Sequence, residues 1–79
     1  MLTPEALRAA RGLLGWGVRD LAAKAGVAWT TVNQFENGRA LRPTSACKIV
    51  AALEAEGIEL VADDARTGAL LVYAKRRER

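Results

Sequence analysis

The 79-residue sequence predicts a mainly α-helical domain of four short helices followed by a C-terminal β-hairpin. Apolar residues recur at helical spacing in four segments of residues 4–57, and each segment closes at or near a glycine. From residue 58 the pattern changes to two short β-prone runs separated by turn-forming residues. We therefore predict a helical domain over residues 1–57 and a hairpin with a basic tail over residues 58–79.

The first helix is predicted over residues 4–14. Thr3 can cap free backbone N–H groups, and Pro4 has the backbone angle of a first helical position. Apolar residues then recur with helical spacing up to Gly15, which offers a stop.

The second helix is predicted from Val18 to just before Gly26, and the third over about residues 29–36, closed by Asn37 and Gly38. Only residues 26–28 separate them. Two short helices joined by so tight a glycine-containing turn cross steeply, which is the helix-turn-helix geometry.

A fourth helix is predicted to start at Pro43 or Thr44 and to end near Gly57, with Cys47 expected as a small buried side chain. The expected core combines apolar residues of the helices and the turn: Leu7, Leu14, Leu21, Ala22, Val27, Val32, Phe35, Ile49, Val50 and Leu53.

Residues 58–62 and 69–73 are predicted strands, with residues 63–68 as the turn. Both strands carry apolar residues on both faces, so one face can cover the helices while the other needs its own cover. A lone hairpin with an open apolar edge is unstable, so we expect it to pair with the same hairpin of a second subunit. The expected dimerisation residues are Leu60, Leu70, Val72 and Tyr73.

The net charge of +3 divides into three blocks along the chain. Residues 1–50 carry +4, residues 51–74 carry −4, and residues 75–79 carry +3. A basic helical domain suits a polyanionic partner, with the acidic block facing away from it. Two interpretations of the basic tail stay open: a frayed solubilising end, or an arm that reaches flanking phosphates.

Composition argues against catalysis. The sequence has no histidine, no glycine-rich phosphate loop and no nucleophile at a recognisable distance from a base. One cysteine and no zinc-ligand cluster predict neither a disulfide nor a metal site, and we expect no cofactor and no small-molecule ligand. The lone thiol and the absence of a signal segment favour a cytoplasmic protein, and the apolar runs are too short for a membrane protein.

The motif Leu21-Ala22-x-x-x-Gly26-Val27-x-x-x-x-Val32-x-x-x-Glu36-Asn37-Gly38 resembles the helix-turn-helix of the phage-repressor-like family of small bacterial DNA-binding regulators, the Cro/C1 or xenobiotic-response-element type. Arg42-Pro43 resembles the loop that runs along the DNA backbone in phage repressors. The resemblance covers about residues 4–57. It implies a lambda-repressor-like domain of a nucleoid-associated bacterial or phage protein.

The resemblance implies that the third helix enters the DNA major groove. The implied base-contacting residues are Trp29, Thr30, Asn33 and Gln34, and the expected phosphate contacts are Asn37, Arg39, Arg42 and Lys48. The chemistry agrees, because Gln and Asn can bind adenine through two hydrogen bonds while Arg and Lys neutralise phosphates. For Trp29 two interpretations stay open, an aromatic that packs the turn or an apolar surface against thymine methyls. Glu36 is expected to be structural, paired with a neighbouring arginine.

The family usually has Ser or Thr at the start of the second helix and then a Gln that touches phosphate, where this chain has Gly17 and Val18. The sequence therefore supports two functional hypotheses. The first is a homodimeric, sequence-specific repressor that binds an inverted-repeat operator in double-stranded DNA. The alternative is a helix-turn-helix protein-interaction module, such as an antitoxin or an adaptor, which Gly17, Val18 and an exposed Trp29 would favour.

Overall fold

A computed structural model describes residues 2–62 and 66–72 of the chain. Its elements are α1 (Pro4–Leu14), α2 (Val18–Ala25), α3 (Trp29–Glu36), α4 (Pro43–Glu54), β1 (Ile58–Ala62) and β2 (Thr67–Leu71). The two strands form one antiparallel hairpin. The predicted fold class, four helices followed by a hairpin, is confirmed.

Helix α1 has the predicted bounds, and both ends are capped. The Thr3 hydroxyl accepts a hydrogen bond from the Ala6 amide at 3.1 Å. At the other end Gly15 adopts a left-handed conformation with φ of 69°, and its N–H donates to carbonyls of the last turn. These caps satisfy backbone groups that a helix terminus otherwise leaves unpaired.

Gly26 ends α2 at a φ of 73°, and its N–H donates to the Ala22 carbonyl at 2.9 Å. Helix α3 begins three residues later, after Ala28, whose side chain makes no capping bond. The start of α2 has a cap that the sequence reading missed, since the Gly17 N–H donates to the Asp20 carboxylate at 2.9 Å. The tight turn between α2 and α3 is the predicted helix-turn-helix.

The core lies between the four helices and the hairpin. Its buried residues are Leu7, Ala10, Leu21, Ala22, Val32, Phe35, Ile49, Leu53 and Ile58. Leu14 and Val27 are half-buried and pack against this cluster, and Val50 is also half-buried. The prediction of a buried Cys47 is wrong, because α4 buries the stripe of Ile49 and Leu53 and leaves the neighbouring Cys47 exposed.

Strand β2 begins two residues earlier than predicted. Thr67 pairs with Ala62 and Gly68 pairs with Val61, so the assignment of both residues to the turn is wrong. Thr67 is β-branched and therefore suits a strand, so the ladder includes it although the turn-like sequence around it predicted otherwise. Residues 63–65 lie outside the described part of the chain.

The two faces of the hairpin differ. Ile58 is buried, and Leu60, Ala69 and Leu71 pack against the core from the inner face. Leu70 is 54% exposed on the outer face. Leu60 is thus turned toward the helices and away from Leu70, and the predicted dimerisation residue Tyr73 and the basic tail lie outside the described residues.

Among the described helices, none is both long enough and apolar enough to cross a membrane.

Candidate nucleic-acid interface

Helix α3 divides into a buried and an exposed face. Val32, Phe35 and Glu36 are buried. The exposed side chains are those of the four residues predicted to contact bases, namely Trp29, Thr30, Asn33 and Gln34. At about 100° of rotation per residue, these four fall within one sector about 140° wide. The helix therefore presents them together, on the side opposite its core contacts.

The end of α3 is tied to α1 through Glu36. Arg11 donates two hydrogen bonds to the Glu36 carboxylate, from Nε at 2.6 Å and from Nη2 at 2.7 Å. Arg8 donates from Nη1 to the Glu36 carbonyl at 2.8 Å. The hydrogen bond to Glu36 raises the pKa of Arg11 above its ordinary value. The expected structural role of Glu36, paired with an arginine, is confirmed.

Trp29 stands at the start of α3 with 42% of its surface exposed. The Arg19 guanidinium of α2 lies over its indole ring, with Cζ 4.3 Å from the ring centroid. Sequence reasoning missed Arg19, although its place at the start of α2, across a short turn from α3, was a possible signal. Trp29 is therefore an exposed aromatic residue whose ring is partly covered by Arg19.

A polar groove lies alongside α3. It is lined by residues of α3, the following loop and α4: Thr31, Gln34, Ala40, Arg42 and Ser45. The groove brings Gln34, a predicted base contact, beside Arg42, a predicted phosphate contact. Sequence reasoning missed Thr31 and Ser45. Thr31 is one helical turn before Gln34, and Ser45 is one helical turn before Lys48.

The other predicted phosphate contacts lie around the same surface. Asn37 caps α3 and donates from Nδ2 to the Asn33 carbonyl at 2.9 Å, which leaves its second amide hydrogen for another acceptor. Arg39, Arg42 and Lys48 are exposed. Lys48 is one turn along α4 from Ser45, which lines the groove.

The chemistry of this surface matches duplex DNA. Amide and hydroxyl side chains on a helix can pair with base edges, and flanking cations can pair with phosphates. The one carboxylate of α3, Glu36, is paired with Arg11 and is buried. Within residues 2–62 and 66–72 no cluster of three potential metal-ligating side chains occurs.

Helix α3 packs on the core through one face and exposes amide side chains on the other. It follows α2 after a tight turn. This arrangement defines a helix-turn-helix DNA-binding domain. A family model described as helix-turn-helix matches residues 7–60, which is more than half of the chain. This protein belongs to that family, the Cro/C1 type of helix-turn-helix, and is a DNA-binding helix-turn-helix regulator. No curated protein matches the chain.

Proposed function

We propose that this protein is a homodimeric repressor that binds an inverted-repeat operator in double-stranded DNA. The observation that carries the proposal is the exposed face of α3, where four side chains suited to base recognition lie together. Repression is then steric, because a dimer on a promoter excludes other proteins from it.

Sequence recognition is assigned to the exposed side chains of α3. Gln34 and Asn33 can each form two hydrogen bonds with adenine, and Thr30 can contact a base through its hydroxyl or its methyl. Trp29 offers an apolar surface to thymine methyls. Each well-formed bidentate contact discriminates against a wrong base by about 1–3 kcal/mol.

Sequence-independent affinity is assigned to the basic rim. Arg42 lines the groove, Arg39 and Lys48 are exposed close to its lining residues in sequence, and Asn37 keeps one amide hydrogen for another acceptor. Their contacts to phosphates release counterions and fix the orientation of the domain on the duplex. Exposed Glu54 and Glu59 belong to the end of α4 and to β1, and repulsion from phosphates favours an orientation that turns them away from DNA.

Dimerisation is assigned to the outer face of the hairpin. Leu70 is the most exposed large apolar side chain among the described residues, and a two-stranded sheet leaves strand edges unpaired. Pairing of two hairpins about a twofold axis would cover this face. The two α3 helices would then have to be about 34 Å apart to enter successive major grooves, which an inverted repeat requires.

The test is selection of binding sites from a random duplex library, with sedimentation of the full chain in parallel. We expect an inverted repeat to emerge and the protein to sediment as a dimer. Recovery of unrelated duplexes with equal affinity would overturn sequence-specific binding. It would favour the alternative, a helix-turn-helix protein-interaction module such as an antitoxin or an adaptor, for which exposed Trp29 and Leu70 are suitable contact residues.

A further inference from the structure

Arg19 and Trp29 form a pair that spans the helix-turn-helix. Arg19 is the second residue of α2 and Trp29 the first of α3, and the guanidinium carbon lies 4.3 Å from the indole centroid. Both side chains are exposed. The pair therefore stands at the N-terminal end of α3, at the margin of the surface proposed to read DNA.

The guanidinium of Arg19 has no hydrogen-bond or ion-pair partner among the residues that the structure describes. It stacks on the Trp29 ring. The adjacent Asp20 carboxylate accepts from the Gly17 N–H instead. By contrast, Arg8 and Arg11 donate to Glu36, so they are not available to a ligand in the same way.

Stacking on an aromatic ring leaves the edge of a guanidinium open. The ring covers one planar face, whereas the N–H donors point outward in the plane. The ring also restricts the rotamers of a long side chain, which lowers the entropy lost when that side chain binds. Arg19 is thus a partly preorganised donor fork that has no acceptor among the described residues and can offer its N–H groups to a ligand.

We infer that Arg19, stacked on Trp29, is a specificity-determining residue that donates two hydrogen bonds to O6 and N7 of a guanine in the major groove. The inference rests on the proposed function, in which α3 reads double-stranded DNA. The N-terminal residues of a recognition helix are those that contact base edges, and the Trp29 ring holds the guanidinium at that end. Guanine offers the acceptor pair that matches the arginine fork.

The experiment measures base preference directly. Wild-type protein selects duplexes from a random library, and the selected duplex is then remade with each guanine in turn replaced by 7-deazaguanine, which lacks N7. At one guanine in each half-site we expect a loss of affinity of about tenfold for the wild type. Arg19→Ala should bind the two duplexes equally, because it has no donor for N7.

Three further variants separate base reading from charge and from folding. Arg19→Lys keeps the charge without the planar fork, so it should also lose the guanine preference. Trp29→Phe keeps an aromatic face and should retain more of that preference than Trp29→Leu. Lys24→Ala removes an exposed charge from the last turn of α2 and should leave base preference unchanged. Circular dichroism and thermal melts check that each variant is folded.

Two results would overturn the inference, and only the second would also overturn the proposed function. If Arg19→Ala weakens all duplexes equally, lowers the salt slope by about 1 per protomer and is rescued by Arg19→Lys, then Arg19 contacts phosphate, and the proposed function stands. If the wild type itself selects no sequence, both the proposed function and this inference fail.

Discussion

Glu36 of α3 and Arg11 of α1 form a bidentate ion pair with the Glu36 side chain only 8% exposed and the Arg11 side chain 20% exposed. Arg11 also donates from Nη1 to the Trp16 carbonyl at 2.9 Å, so one guanidinium joins α1, the α1–α2 connection and α3. Arginine is charged throughout the neutral range, and the hydrogen bond to Glu36 raises the pKa of Arg11 further. This contribution to stability is present below that pKa and would be lost only as the pH rises through it.

Removal of one partner of this pair should destabilise the fold strongly. Arg11→Met leaves the Glu36 carboxylate buried without its cation, which typically costs about 3–5 kcal/mol. Such a loss is a large share of the free energy of unfolding of a domain of this size. Urea denaturation followed by circular dichroism measures it.

The double variant provides the control. Arg11→Met with Glu36→Gln removes both charges, so we expect it to be less destabilised than the sum of the single variants. Additive effects would mean that the two side chains act independently, in conflict with the bidentate geometry. We also expect the single variants to lose DNA affinity at the temperature where they begin to melt, because α3 loses its anchor on α1.

Gln34 and Arg42 line the same groove but should affect DNA binding differently. Gln34→Ala should relax base preference at one position per half-site, with a penalty of about 1–3 kcal/mol on the preferred sequence. Arg42→Ala should weaken all sequences alike and reduce the salt slope by about 1 per protomer, because it removes a phosphate contact. Fluorescence anisotropy across a salt series, on selected and shuffled duplexes, separates the two effects.

A variant outside this surface checks that the effects are local. Ala51→Gln alters an exposed position of α4 in the half away from the groove and should change neither the preference nor the salt slope. Equal loss on both duplexes for Gln34→Ala would contradict its role as a base contact.

The helix bounds could be predicted from local signals. Thr3, Pro4 and the glycines at the helix ends act within one turn of the chain, and apolar spacing identifies the face that each helix buries. The exposed face of α3 could also be predicted, because the apolar Val32 and Phe35 identify the opposite face as the buried one. The ion pair of Glu36 was predictable only as a type of contact, since its partner is 25 residues away in sequence.

The parts that were missed depend on tertiary approach or on small differences in energy. The stacking of Arg19 on Trp29 requires knowing how closely α2 and α3 approach across the turn. Cys47 borders the buried stripe of α4. At such a position a small rotation of the helix about its axis determines whether the side chain is buried or exposed. The start of β2 at Thr67 depends on how far the ladder extends, which sequence signals locate only to within a few residues.

Leu70 should be a determinant of dimerisation and not of folding. It is 54% exposed and lies opposite Glu59 in the ladder, so Leu70→Glu should lower the free energy of unfolding of the protomer by no more than about 1 kcal/mol. Two carboxylates brought together at a twofold axis repel each other, so the variant should sediment as a monomer at concentrations where the wild type is a dimer. Its affinity for a full inverted repeat should then fall toward that for a single half-site.

Leu13→Glu is the matched control, because Leu13 is an exposed leucine of α1 at 46%. It should leave the oligomeric state unchanged. A Leu70→Glu protein that remains a dimer would remove the outer face of the hairpin from the interface, whatever the DNA affinity.

Two glycine substitutions should change stability in opposite directions. Gly26 adopts a φ of +73° in the turn before α3, and a Cβ there would meet no atom within 4 Å. Gly26→Ala should therefore destabilise the fold through backbone strain alone, by about 1–2 kcal/mol. Gly12 lies within α1, where a Cβ also meets no atom within 4 Å, so Gly12→Ala should stabilise the fold by about 0.5–1 kcal/mol. Thermal melts of both variants test this contrast. Equal shifts in melting temperature would show that the positive φ of Gly26 does not set the geometry of the turn.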